Sequence, residues 1–153
     1  MPPPRKPAAI PPQASLRSVL KLILRVKLKC LDEWNDQRRL LAGRYRKNLE
    51  GTRYWIPKES AGCRSVYHLF PIVTDRKAAV CKALSAANIG WAEHYPMPVH
   101  LQPAFAGLGK REGSYPVAEG LMRGLVSLPM FPELKMEAVD RVSEVLKGVE
   151  RSG

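Results

Sequence analysis

Reactive side chains are few in this sequence, and their spacing excludes more chemistry than it offers. The three histidines are His68, His94 and His100. No two share a helix face, so a metal site has no ligand pair to start from. The cysteines Cys30, Cys63 and Cys81 are odd in number, widely spaced and without a CxxC pair. They make neither a disulfide framework nor a zinc ligand set, and are expected as small buried apolar side chains of a reduced, cytoplasmic protein. The glycines around Gly107 and Gly109 lack the Lys-Ser/Thr ending and the preceding strand of a phosphate loop. What remains is a cluster of rings, His94, Tyr95 and His100, in the proline-punctuated stretch HYPMPVH. Polar rings at a cleft edge suit a hydroxyl-rich sugar or its diphosphate; in such a loop a histidine can equally be a turn-stabilising donor. His68 alternates with Val66 and Phe70 and is expected inside, while Tyr67, on the other face, is core or interface.

The elements that must position these rings follow from periodicity. Six of the first twelve residues are proline, which removes backbone donors and disfavours helix. Residues 1–15 are therefore expected as a disordered tail, ahead of one domain over 16–150. Leu20, Leu24, Leu28, Leu31, Trp34, Leu41, Tyr45 and Leu49 recur at steps of three or four, with one break near Arg38. This predicts a long helix or kinked pair over about 17–49, one stripe facing a core, stopped by Gly51. Tyr54-Trp55-Ile56, CRSVYHLFPIV and IGWAEHYP read as strands, with Pro71 at an edge or bulge. Asp75 is expected to cap a helix with Val80 and Leu84 on its inner face. Further helices are predicted from Pro116 to about Gly124 and over 134–149. The order fits an α+β layer with a small, mainly antiparallel sheet.

Charge is lopsided. Of a net +11, residues 1–53 hold 13 Lys/Arg and 4 Asp/Glu, a net +9, and the remainder holds 12 and 10, a net +2. A basic front half is compatible with nucleic acid or an acidic membrane surface. The cations lie largely on a predicted helix with Asp32, Glu33 and Asp36 among them, and no aromatic-interleaved RNA motif accompanies them. A solvated helix face is expected, with nucleic acid not the partner. No apolar run reaches the roughly 18 residues of a membrane span, so no membrane partner is expected either.

Four segments, in order, resemble the C-terminal portion of the DegT/DnrJ/StrS family of sugar aminotransferases, which depend on pyridoxal phosphate. They are LRVKLKCLDEWNDQRRLLAGRYRKNL, SVYHLFPIVTDRKAAVCKAL, NIGWAEHYPMPVHLQPAFAGLGKREGSYPVAEGL and SLPMFPEL. The match is read from about Leu24 onward. The resemblance implies the C-terminal small domain of a fold type I aminotransferase, in which a large domain binds the cofactor. It also implies a homodimer, and amino transfer from glutamate to a keto-sugar nucleotide. By the same resemblance His94, Tyr95 and His100 line the mouth of the active site and contact substrate.

The family's Schiff-base lysine lies in a Ser-Lys-x-Leu-Gly loop upstream of the long helix, and that loop is not in this sequence. Lys47-Asn48-Leu49-Glu50-Gly51 shares its letters but falls at a helix end, so no catalytic or cofactor-binding residue is expected here. Pyridoxal phosphate belongs to the parent family, and the chain alone is expected neither to bind it nor to catalyse. Ahead of Leu24 the family's Asn-Ser-Arg stretch is not matched, and residues 1–23 are read as out-of-frame translation before a truncated remainder. Two rival readings stand beside this one: a subunit of a split aminotransferase completed by another chain, and a basic nucleic-acid-binding protein. Some members of the family are dehydratases, so aminotransfer and dehydration parentage stay unseparated.

Overall fold

A computed structural model describes residues 14–152, so the expected tail falls outside the described residues up to position 13. The chain divides into one unit ending at Trp34 and a second from Asn35 onward. The helix predicted over 17–49 is two helices, α1 (Ala14–Leu28) and α2 (Leu31–Asn48). The break falls at Lys29–Cys30 rather than near Arg38. There the N–H groups of Lys29 and Cys30 reach back only three residues, to Val26 (3.3 Å) and Lys27 (3.1 Å). A new ladder starts with Trp34 N–H on the Cys30 carbonyl at 3.0 Å. Asp32 and Glu33 occupy the first turn of α2, and Arg46 and Lys47 the last. Each pair is of the sign that its helix end favours. Arg38 and Arg39 do not interrupt the helix; their guanidiniums bond back to Asn35 (3.2 Å) and Asp36 (2.6 Å). The predicted stripe changes character along its length. Leu20, Leu24, Leu28 and Leu31 are exposed, and Leu41, Tyr45 and Leu49 are buried.

In the second unit, β1 (Phe70–Val73) pairs antiparallel with β2 (Leu125–Leu128), with Phe70 opposite Leu128 and Val73 opposite Leu125. Single bridges, Trp55 to Val73 and Ala92 to Ser127, extend this ribbon on both edges. The strands expected at Tyr54–Ile56 and 89–96 are thus one bridge each. The strand expected from Cys63 begins only at Phe70, because Tyr67 adopts φ +46° and leaves the extended region. A non-glycine residue held there costs about 1–3 kcal/mol. The Tyr67 ring lies 6.2 Å from that of Phe70, with the Arg46 guanidinium 5.9 Å above it. Because the chain turns at Tyr67, the alternation of β1 does not extend back to His68. That side chain is exposed rather than interior, and so is Val66. Cys63, in the same irregular segment, is exposed too; Cys30 and Cys81 are half-buried.

β-Pleating sends Phe70, Ile72, Val126 and Leu128 to one face and Pro71, Val73, Leu125 and Ser127 to the other. The first face is covered by α2, by α3 (Lys77–Ala86) and by α5 (Met136–Arg151). Val80, Leu84, Val139 and Leu146 are fully buried there. Asp75 does not cap α3, which starts at Lys77 without a side-chain cap. Instead the Thr74 hydroxyl accepts from Arg76 N–H at 3.1 Å. α4 (Pro116–Gly124) runs directly into β2, with Pro116 in the first turn as predicted. That junction requires glycine: a Cβ on Gly124 would sit 2.4 Å from the Thr74 carbonyl oxygen. Two ties reach from α2 to the C-terminal part of the chain. The Tyr45 hydroxyl donates to the Pro129 carbonyl (3.1 Å), and Arg44 grips Asp140 with two bonds of 2.6 and 2.8 Å.

Ile72→Ala, at a fully buried position, is expected to lower unfolding free energy by about 2–5 kcal/mol. Ile23→Ala, at an exposed position on α1, should stay within about 0.5 kcal/mol. Urea melts of both variants check the contrast. Asp140 accepts bonds from Arg44 and Asn48 that hold its carboxyl at about 2, below the ordinary 3.8. A depressed folded value stabilises the fold above the unfolded pKa of about 3.9 and loses that effect as pH falls toward the folded one. The urea midpoint of Asp140→Asn should therefore lie below that of the unsubstituted chain near neutral pH. The two should converge by about pH 2.

Candidate functional site

His94 owes its position to the outer face of the sheet. The Ala92–Ser127 bridge, with backbone bonds of 3.2 and 2.8 Å, aligns this segment along β2. His94 Nδ1 then lies 2.9 Å from the buried Ser127 hydroxyl. Among the described residues its Nε2 has no hydrogen-bond partner. Glu93, the preceding residue, is fastened by Lys77 at 2.8 Å, and the same ammonium reaches the Met122 carbonyl at the end of α4 (3.5 Å). The His94–Tyr95 peptide bond is cis, and the two rings meet edge to face at 5.6 Å. Tyr95 is exposed.

Two short 3₁₀ segments, Val99–Leu101 and Pro103–Leu108, carry the chain from these rings to α4. His100 sits on the first of them, and its ring lies edge-on to Tyr115 at 4.8 Å. Its Nε2 is 3.0 Å from Glu119 Oε1, and both side chains are nearly removed from solvent, at 9% and 6% exposure. The Glu119 carboxylate also accepts from Gly113 N–H (3.0 and 2.9 Å) and Tyr115 N–H (3.1 Å). Those two amides are the main reason that its pKa lies below the usual carboxylate range; burial opposes them and His100 adds to them. Gly113 meets the carboxylate at φ +86°, which favours glycine.

The three rings singled out from sequence therefore border one open cleft of about 450 Å³, completed by Met97, Phe105 and Tyr115. Tyr95 is exposed at this cleft, His94 turns one free ring nitrogen away from Ser127, and His100 contributes a ring edge with its Nε2 engaged by Glu119. The walls are otherwise apolar, and no lysine or arginine lines them. Among the described residues no group of three metal-ligating side chains converges. Sequence reasoning missed Glu119, Ser127 and the Lys77–Glu93 pair. An acidic residue in the first turn after Tyr115-Pro116 was the available signal for Glu119. Nothing local announces Ser127 or Lys77, which reach their partners across 33 and 16 residues.

The profile of the DegT/DnrJ/EryC1/StrS aminotransferase family matches residues 14–147. The matched segment begins ahead of Leu24 and takes in residues 14–23, part of the stretch expected to be out-of-frame translation. The erythromycin biosynthesis sensory transduction protein EryC1 of Saccharopolyspora erythraea is 39% identical over 88% of this chain and 37% of its own length. The dTDP-3-amino-3,4,6-trideoxy-alpha-D-glucose transaminase of Streptomyces venezuelae is 37% identical over 85% of this chain and 36% of its own. The crystal structure of DesV from S. venezuelae, in complex with a ketimine intermediate, superposes with a TM-score of 0.80. It shares 38% identity and covers 84% of this chain and 35% of that one. The chain thus spans about a third of the length of the relatives it matches.

Glu119→Gln keeps the shape of the side chain but removes the charge that gathers two amides. Hydrogen exchange at Gly113 and Tyr115 is expected to quicken by about tenfold or more. Exchange at Ile72 and Leu146, in the core, should be unchanged, and mass spectrometry of the two regions checks the difference.

Proposed function

The chain belongs to the DegT/DnrJ/EryC1/StrS aminotransferase family, and from that premise we propose that it forms the substrate-side wall of a sugar aminotransferase active site. The parent reaction in this reading passes an amino group from glutamate to a keto-sugar nucleotide. The observation that carries it is the gathering of His94, Tyr95 and His100 on one cleft within the fold that the family's crystal structures share. Tyr95 and the free Nε2 of His94 hydrogen-bond the sugar hydroxyls or the diphosphate. His100, with Nε2 engaged by Glu119, holds the wall in shape. The apolar walls flank the sugar ring and exclude water, which strengthens each polar contact made there.

Pyridoxal phosphate, when bound, supplies an electron sink for the α-amino group of the donor. The residues described here do not fit it. A Schiff-base lysine needs a free amine in the cleft, a carboxylate for the pyridine nitrogen and a phosphate cradle. No lysine borders the cleft of His94 and Tyr95. The Lys77 ammonium is paired with Glu93. Lys47 is exposed at the end of α2 and borders grooves that none of the three rings lines. No chemical step is therefore assigned to residues 14–152. The cofactor comes from further polypeptide, in the same chain or in a partner, and this portion is not catalytic by itself.

A chimera tests the reading: residues 14–147 replace the aligned third of the S. venezuelae transaminase. It is expected to hold pyridoxal phosphate and to aminate its keto-sugar substrate with glutamate. His94→Ala and Tyr95→Phe should each lower kcat/KM by about tenfold and leave the cofactor absorbance intact. A chimera that holds the cofactor, with both variants as active as the parent, would sink the substrate role. For the chain alone, incubation with pyridoxal phosphate followed by borohydride should label no single lysine stoichiometrically. Stoichiometric capture at Lys47 or Lys77 would overturn the assignment of the cofactor elsewhere.

A further inference from the structure

Ser127 is buried between Val126 and Leu128, which fill the core, and its hydroxyl has few places to go. The other buried serine, Ser143, lies on α5 and donates to the Val139 carbonyl one turn back at 2.8 Å. A strand offers no such outlet, since its carbonyls lie in the plane of the sheet and its side chains stand roughly perpendicular to it. The backbone N–H and carbonyl of Ser127 are both engaged by Ala92. Among the described residues its hydroxyl meets one partner, His94 Nδ1 at 2.9 Å, and the residue is only 3% exposed.

That single contact decides which ring nitrogen of His94 holds the proton. A neutral imidazole has one N–H and one lone pair, while a hydroxyl has one hydrogen to give and lone pairs to accept with. With the proton on Nδ1, the ring would donate to Ser127 and leave the hydroxyl hydrogen inside the fold without an acceptor. A buried donor left unpaired disfavours that arrangement by about tenfold or more. With Nδ1 bare, the hydroxyl donates to it and both groups are satisfied. The proton of the neutral ring then sits on Nε2, the nitrogen turned away from Ser127, on a ring that borders the cleft.

Resting on the substrate role given to His94 above, we propose that Ser127 is a positioning residue that fixes this ring as a hydrogen-bond donor at Nε2. This side of the cleft thereby selects an acceptor oxygen of the substrate, whether keto, ring or phosphate, and disfavours an ammonium group. In the full chain at alkaline pH, where an ordinary imidazole is neutral, two-bond proton–nitrogen correlations of the His94 ring should show Nε2 protonated and Nδ1 bare. Ser127→Ala should give a mixture of the two tautomers. Ser127→Thr, which keeps the hydroxyl, should restore the single one.

In the chimera described above, Ser127→Ala should lower kcat/KM about fivefold, and Ser127→Thr should recover most of the loss. Added to His94→Ala, Ser127→Ala should cost nothing further, because a residue that acts through the ring has no effect once the ring is gone. An Nδ1-protonated ring in the unsubstituted chain, or an even mixture, overturns the proposal. So does a Ser127→Ala loss that adds in full to that of His94→Ala, which would make the serine structural only. A chimera indifferent to His94→Ala overturns the substrate role, and with it the selection of an oxygen, even where the tautomer in the chain is as expected. The two failures are thus told apart.

Discussion

The ring of Tyr45 joins parts of the chain that are far apart in sequence. It stacks on Phe70 with centroids 4.8 Å apart, and its hydroxyl donates to the carbonyl of Pro129, just past the end of β2. A phenol this deeply buried is pushed well above its ordinary pKa, so it stays protonated and keeps donating. One side chain therefore sets the distance between α2, β1 and the exit of β2. The sheet is only four residues deep on each strand, too little to hold its register without the helices behind it. Tyr54 repeats the device at the other end, donating to the Leu146 carbonyl at 2.8 Å and tying the chain after α2 to α5.

Around this apolar centre, carboxylates decide where the irregular segments go. Asp140 collects Arg44 and Asn48 and pins α5 to α2. Glu119 collects two amides and an imidazole and shapes the segment between the 3₁₀ turns and α4. Glu93 and Lys77 fix the residue next to His94. Asp140 and Glu119 are each held by several donors rather than by one, which is how a loop with little apolar burial acquires a single conformation. The cleft of His94, Tyr95 and His100 is thus ordered by ionic ties at its back while its open side stays apolar.

What the sequence made legible was governed by the range of the forces involved. Helices with strong apolar spacing, such as α5 and the second half of α2, were found close to their true limits. Pro116 marked the start of α4 because its effect on the backbone is local. The boundary between α1 and α2 was misplaced because the apolar stripe runs unbroken through it; the Asp32-Glu33 pair was the better guide. His68 was misread because alternation presumes an extended chain, and Tyr67 breaks that presumption with a conformation that no neighbouring residue demands. The three rings of the cleft could be named because they stand close together in sequence. The groups that hold them could not, since Ser127 and Lys77 meet their partners only once the sheet has formed.

Ser127 stands between Val126 and Leu128, so the residue that steadies His94 is flanked by two that fill the core. With a side-chain period of two, a shift of one residue in this strand would turn the hydroxyl inward and both aliphatic chains outward. The polar side of the sheet consequently has no freedom to drift apart from the apolar side. Gly124, wedged against Thr74 at the start of the same strand, closes off length changes there as well. The segment between Tyr95 and Tyr115 has no such strand register to keep; it is held instead at single points, His100 and Gly113, by the Glu119 carboxylate.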